Sequence, residues 1–406
     1  MRIQAFRGLT PRPELAAEVA AVPYDVVDTE EARALAAHRP LDLLHVDRAE
    51  IDLPPGTDPY SDAVYETAAR NFQKLIADGT LQREPAPVLY LYQQQMGSHV
   101  QTGLIAACHI DDYGNDIIRK HEKTRKVKED DRTRLVDTLS AHTGPIFLTY
   151  RQKPSIDALV TAILATAPLF DFTAPDGISH RIWKITATDA LVAEFAAVPL
   201  AYVADGHHRS ASAWRVGTQR RSANPHHDGS EDYNWFLGVL FPANQLSILP
   251  YNRLVRDLHG QSPEEFLERL GSAGFSVTPA RDKVPSRPSE ARLFLAGRWH
   301  TVAWDASDID DPVGRLDVSV LQDRVLGPLL GIGDPRTDER IEFSGGIRGP
   351  EELERRVQRG DAALAFSMFP VTVDQLMDIA DAGQIMPPKS TWFEPKLRSG
   401  LVIQTF

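Results

Sequence analysis

Residues 200–203 (LAYV) are apolar and run directly into Ala204-Asp205-Gly206-His207-His208-Arg209, after which a helical pattern continues through Trp214. No other stretch constrains the fold as much. A strand reads on one side of the join and a helix on the other, and Gly206 is free to make the sharp turn between them. The first amides of that helix, near His208 to Ser210, have no partner a turn earlier, and amides and helix dipole together favour an anion there. Arg209 adds a planar fork that suits phosphate. Asp205 does not belong in a site that only binds anions; it suits a hydroxyl, an amine or Mg²⁺. The alternative is that Asp205 is a helix N-cap and the histidines are surface residues.

A second segment is Arg119-Lys120-His121-Glu122-Lys123-Thr124-Arg125-Lys126-Val127-Lys128, a basic run in a chain with 44 Lys and Arg against 56 Asp and Glu, net charge −12. Glu122 sits among cations, a setting that keeps a carboxylate ionised. Next to a bound hydroxyl such a group is a usable general base, and the surrounding cations could hold phosphate oxygens. The alternative is an ordinary solvated loop leading into a helix.

Composition narrows the class. At roughly 150 residues per domain, 406 residues predict two or three domains. Apolar residues at 42% exclude a disordered chain, and a single cysteine excludes a disulfide scaffold. No run reaches the ~18 apolar residues of a membrane span, and the N-terminal MRIQAFRGLTPRPELA has no apolar signal-type core. A cytoplasmic protein is expected, with no membrane partner. The acidic balance argues against a general nucleic-acid binder.

Along the chain, Asp28 with Glu31 forms a capping-box pattern ahead of a helix. Residues 41–46 (LDLLHV) read as a short strand, and 60–77 as a helix with Val64, Ala68, Phe72 and Ile76 on one face. Segments 87–95 and 99–110, split by Met96-Gly97-Ser98, read as a hairpin. A helix over 129–141 precedes a strand at 145–150 (PIFLTY), and helices are expected over 156–165 and 189–196. Residues 220–232 read as a polar loop and 234–241 as a buried strand. The pattern changes near residue 258, so the expected domains are 1–258 and 259–406, the second ending in a docking arm, 386–406.

Smaller candidates are Pro23-Tyr24-Asp25, a site lining or a structural proline turn, and 386–398 (MPPKSTWFEPKLR), where Lys389, Ser390, Thr391 and Lys396 could reach a phosphate and Trp392 could stack on a base. Here too a purely structural arm is the alternative. His207-His208 and His226-His227 lack the Cys or His partners of a zinc set. Ser344-Gly345-Gly346 lacks both Rossmann and Walker context.

The order of the parts, His121-Glu122, a helix, Pro145-Ile146, then Asp205-Gly206-His207-His208-Arg209 and a helix, resembles the ParB/sulfiredoxin-like superfamily and most of all its free serine kinases. The match covers roughly residues 115–220, with a longer insertion before the turn than that family would suggest. The whole chain also resembles the bacterial and archaeal family catalogued as domain of unknown function 1015. That resemblance rests on Val22–Val26 (VPYDV), Leu44-His45-Val46, Lys120–Thr124 (KHEKT), Thr143–Phe147 (TGPIF), Ala204–Arg209, Leu249–Arg253 (LPYNR) and 386–401.

These resemblances imply an α/β or α+β fold: a ParB/sulfiredoxin-like nucleotide-binding core with extra N-terminal elements and a C-terminal α+β region. They imply a small-molecule kinase that moves a phosphoryl group from ATP or ADP to the hydroxyl of free L-serine, with Mg²⁺. Glu122, Asp205 and His207 are then the expected catalytic residues. Gly206, His208, Arg209, Ser210 and Lys120 would hold phosphates, and His121 and Thr124 would meet the acceptor. Tyr24, Asp25, Lys389, Thr391 and Trp392 would line the site, and Asp205 would carry the metal. Sulfiredoxin has a reactive cysteine in the corresponding turn; here the turn has histidines, and Cys108 falls in an expected strand, which disfavours thiol chemistry. A ParB-like nucleotide switch without a metabolite acceptor and a non-enzymatic scaffold are the rival readings. Homodimerisation is left open.

Overall fold

The computed structural model describes all 406 residues, which divide into two units: Met1–Leu246 with Pro395–Phe406, and Ser247–Glu394. The expected boundary near 258 therefore lies within the second unit. The last twelve residues belong to the first unit. There Gln404–Thr405 pairs with Ala141–His142, and single bridges join Ile403 to Leu9 and Ser399 to Ala21.

The first unit is built on a nine-stranded mixed sheet. Its order is Ile118–Arg119, Ala201–Asp205, Ile146–Tyr150, Trp235–Pro242, His99–His109, Leu89–Met96, Ser179–Ile185, Phe170–Thr173, with Ile3–Gln4 paired beside His99–His109. The expected hairpin forms over Leu89–His109, closing at Met96 opposite His99. Trp235–Pro242 runs parallel to Ile146–Tyr150, while Ala201–Asp205 runs antiparallel to that strand and parallel to Ile118–Arg119. The central strands are apolar on both faces because both are covered, and Leu148, Val203, Phe236 and Leu240 have no exposed surface. Cys108 lies in the same core, and burial pushes its thiol pKa well up, so it is an inert core residue.

Helix Lys126–Leu139 packs against helix His207–Ala223, and ion pairs Arg215–Asp130 (2.5 Å) and Arg220–Asp137 (2.9 Å) lace the two. The expected capping box forms: Asp28 accepts from the amide of Glu31, whose side chain accepts from the amide of Asp28.

Two expectations are corrected. Residues 41–46 are not a strand; Leu44–Asp47 is a short helix, begun where the Asp42 carboxylate accepts the Leu44 amide at 2.9 Å, and Leu43, Leu44 and Val46 are buried in a second core cluster. The polar loop expected from residue 220 begins later. The helix continues to Ala223 because Arg220 and Arg221 find Asp137 and Asp111 as partners.

The second unit has a six-stranded antiparallel sheet in the order Ser276–Pro279, Arg298–Ala303, Glu290–Leu295, Leu364–Met368, Tyr251–Val255, Ile341–Gly345. Helices Pro263–Ser272 and Val373–Asp381 each begin with a full capping box. The family-like string LPYNR thus opens an inner strand of this sheet. No helix in either unit is long and apolar enough to cross a membrane.

Candidate functional site

Strand Ala201–Asp205 ends at Gly206, whose φ of 91° is a backbone conformation that glycine accepts readily. Helix His207–Ala223 starts at once. Ser210 closes its first turn: its amide bonds the Gly206 carbonyl at 2.9 Å, and its hydroxyl donates to the carbonyls of Gly206 and His207. Ser210 is fully buried. The expectation that it holds phosphate is corrected, since its amide and hydroxyl are taken by the Gly206 and His207 carbonyls, and the hydroxyl also meets Tyr113. The amides that head the helix are those of His207, His208 and Arg209.

Arg209 folds back over Gly206. A Cβ on Gly206 would lie 3.0 Å from its Nε. Its guanidinium donates to the Pro145 carbonyl (2.5 Å) and to Asp205 (3.3 Å), and its Nε is buried with no partner. Asp205 in turn meets Lys396 at 3.4 Å. Burial pushes the Asp205 pKa up, but Lys396 and Arg209 outweigh it and hold the carboxyl below its ordinary range. One oxygen of Asp205 faces each cation, so this carboxylate does not fit the role of Mg²⁺ ligand.

The histidines take different roles. His207 is 6% exposed, and its Nε2 lies 3.4 Å from Nε2 of His121, which is 2% exposed; the rings meet edge to face at 4.5 Å. Burial pushes His121 down to about 4 against the pull of Asp205. Burial, followed by the His121 ring, pushes His207 well below its ordinary value. Both rings are neutral near pH 7. His208 is different. Its Nε2 accepts the backbone N–H of Arg125 at 3.0 Å, so its proton is on Nδ1. Burial lowers its pKa too, with Asp25 opposing.

Glu122 is exposed, yet one of its carboxylate oxygens and a ring nitrogen each of His121 and His207 all lie within 4.8 Å of one another. The basic run and the turn, 85 residues apart at Glu122 and His207, are thereby brought together. Two imidazoles and a carboxylate form the one set here that could hold a divalent ion. Its nitrogen ligands suit a transition metal better than Mg²⁺, which prefers oxygen.

Other expected site residues are held by partners of their own. Lys120 is tied to Asp116 (2.8 Å) and the Tyr113 carbonyl (3.2 Å), with its ammonium 4.4 Å from the Tyr113 ring centroid. Thr124 gives its hydroxyl to Glu129 at 2.6 Å, in the first turn of helix Lys126–Leu139. These are the contacts that the two side chains make in the structure. Tyr24 is buried under Arg132, 4.1 Å from its ring centroid, and Asp25 is exposed. Lys389, Thr391 and Trp392 belong to the second unit. There Lys389 reaches the Tyr251 hydroxyl (3.4 Å), and Trp392 packs edge-on to Tyr251 and donates to Glu394.

Beneath the turn lies a layer the motifs alone did not supply. The Thr143 hydroxyl donates to the buried Asp47 at 2.6 Å, and Ser399 also bonds that carboxyl; burial raises its pKa, with Arg132 and Arg209 pulling the other way. A Cβ on Gly144 would lie 2.7 Å from the Ser399 hydroxyl and 3.5 Å from Arg209, which explains the glycine of the TGPIF string. Asp47 adjoins the Leu44-His45-Val46 string and Ser399 lies within 386–401, but nothing local pairs them.

The family described as "Protein of unknown function (DUF1015)" matches residues 3–319, and the chain belongs to it. Among solved structures, the chain is similar to a free serine kinase in complex with AMP, at 12% identity over 71% of this chain and 86% of that one, with a TM-score of 0.36. It is similar to a conserved hypothetical protein from Pyrococcus furiosus, at 13% identity over 74% and 94% of the two chains, TM-score 0.36. SbnI with a C-terminal truncation, from Staphylococcus aureus, is similar at 10% identity over 73% and 85%, TM-score 0.40. No curated protein matches the sequence.

Proposed function

We propose that this chain transfers a phosphoryl group from ATP or ADP to the hydroxyl of free L-serine, giving O-phosphoserine. The observation that carries the reading is the approach of Glu122 to His207 at the head of the helix, within 4.8 Å. A carboxylate stands beside a helix start suited to an anion, so a base and a phosphate site share one place. The amides of His207–Arg209 and the His208 Nδ1–H are donors for phosphate oxygens. Lys396 supplies a cation beside the turn, screened on one side by Asp205. In the reaction the serine oxygen attacks the terminal phosphorus, Glu122 takes the hydroxyl proton, and the bond to the leaving nucleotide oxygen breaks. Positioning and charge stabilisation supply most of the acceleration in such transfers.

The test is phosphoserine formation with ATP or ADP, Mg²⁺ and L-serine. Wild type is expected to turn over, and Glu122→Gln to lose about 10²-fold or more in kcat. Absence of product with either nucleotide ends the kinase reading; full activity in Glu122→Gln ends the general-base assignment.

A further inference from the structure

The phosphate turn leaves the LPYNR string and the Pro387-Pro388 start of the 386–398 string unused, and both reach one cavity in the second unit. The cavity holds about 250 Å³ and is lined by Arg253, Ser319, Phe343, Asp311, Asp323 and Pro387, among others. Arg253 stands on strand Tyr251–Val255 opposite Phe343, with its guanidinium carbon 5.2 Å from the Phe343 ring centroid. It is 3% exposed. Its only hydrogen bonds are to two backbone carbonyls, of Tyr251 and of Lys389 (3.2 Å), and no carboxylate lies within ion-pair distance. Burial pushes its pKa down to about 10. An isolated buried guanidinium is costly, and three of its five N–H donors remain available. Ser319, 5% exposed, has a buried hydroxyl with no partner in the same wall. Just after it the helix widens to an i→i+5 turn, Gly327 to Gln322 at 2.9 Å, a distortion often found at binding sites.

We infer that this cavity binds an amino-acid-sized zwitterion, with its carboxylate on Arg253 and Ser319 and its amine toward Asp311 and Asp323. The two acids are exposed. They would repel a polyanion such as a nucleotide and attract an ammonium, while a carboxylate fits the fork of Arg253. Every residue involved lies in the second unit, so the inference stands apart from the kinase reading.

The test is calorimetric titration of the full-length chain with the twenty α-amino acids, and with acetate and methylamine as half-ligands. Glycine and alanine have no hydroxyl to phosphorylate, and Glu122→Gln is titrated in parallel to keep the two sites separate. At least one amino acid should bind, at least tenfold more tightly than either half-ligand, and equally well in Glu122→Gln. Arg253→Met should weaken it tenfold or more, and Ser319→Ala threefold or more; Ser319→Ala and Asp323→Asn serve if Arg253→Met fails to fold. No binding by any amino acid, acetate as good as the best amino acid, or unchanged affinity in the cavity variants would overturn the inference.

Discussion

The ring of His208 accepts the backbone N–H of Arg125 at 3.0 Å. Arg125 is the residue that precedes helix Lys126–Leu139, and His208 is the second residue of helix His207–Ala223. One side chain therefore ties the basic segment to the turn at Asp205–Arg209. His208→Ala removes the acceptor and should cost about 1 kcal/mol in urea unfolding, with faster hydrogen exchange at the Arg125 amide.

Gly206→Ala meets two obstacles together, a φ of 91° and a Cβ 3.0–3.2 Å from the Arg209 guanidinium. A loss of about 1–3 kcal/mol is expected, read as a lower Tm. If Ala is accepted without loss, the folded-back Arg209 is not what holds this turn.

Asp205→Asn preserves shape but removes the charge that Arg209 and Lys396 share. The side chains of Lys396 and Arg209 are 13% and 12% exposed, so each cation loses its carboxylate away from bulk water. The expected cost is about 1–3 kcal/mol, and Lys396→Met in the same background should restore part of it. A double-mutant cycle measures the coupling.

Acid should destabilise the first unit before most carboxylates protonate. His121 is pushed down to about 4, and His142 and His180 to about 3, by burial in each case. Between those values and the ordinary 6.5 the unfolded chain binds more protons than the folded one, so stability is full above 6.5 and falls as the pH drops below it. His180 is the clearest probe. It contacts the Tyr92 hydroxyl at 2.8 Å and Arg398 at 3.4 Å, so a protonated ring would face a guanidinium. The urea midpoint should fall steadily from pH 6.5 to 4.5, and His180→Gln should flatten that slope.

Much of the site was legible locally. The strand, glycine and helix of 201–223 follow from a run of apolar residues, a residue free in φ, and a helix-forming stretch, all within reach of one another. The hairpin at 89–109 and the capping box at Asp28 were legible for the same reason. Residues 41–46 misled because four apolar residues in six fit a buried strand and a buried helical turn equally well. Asp42 settles the matter by bonding the Leu44 amide. Lys120, Thr124 and Ser210 looked available because a sequence shows a polar group but not its partner. Asp116, Glu129 and the helix's own carbonyls claim them.

By itself, then, the sequence determined the family and the strand–turn–helix around Asp205–Arg209. Tertiary structure decided that Glu122 reaches His207, that Asp205 is clamped between Arg209 and Lys396, and that Asp47 underlies the turn through Thr143 and Ser399. Apart from the local Asp205–Arg209 pair, those contacts span 85 to more than 300 residues of chain. Hydrogen bonds and ion pairs act over about 3 Å, and no local pattern records which distant group will fill that distance; the order of strands in the sheet does.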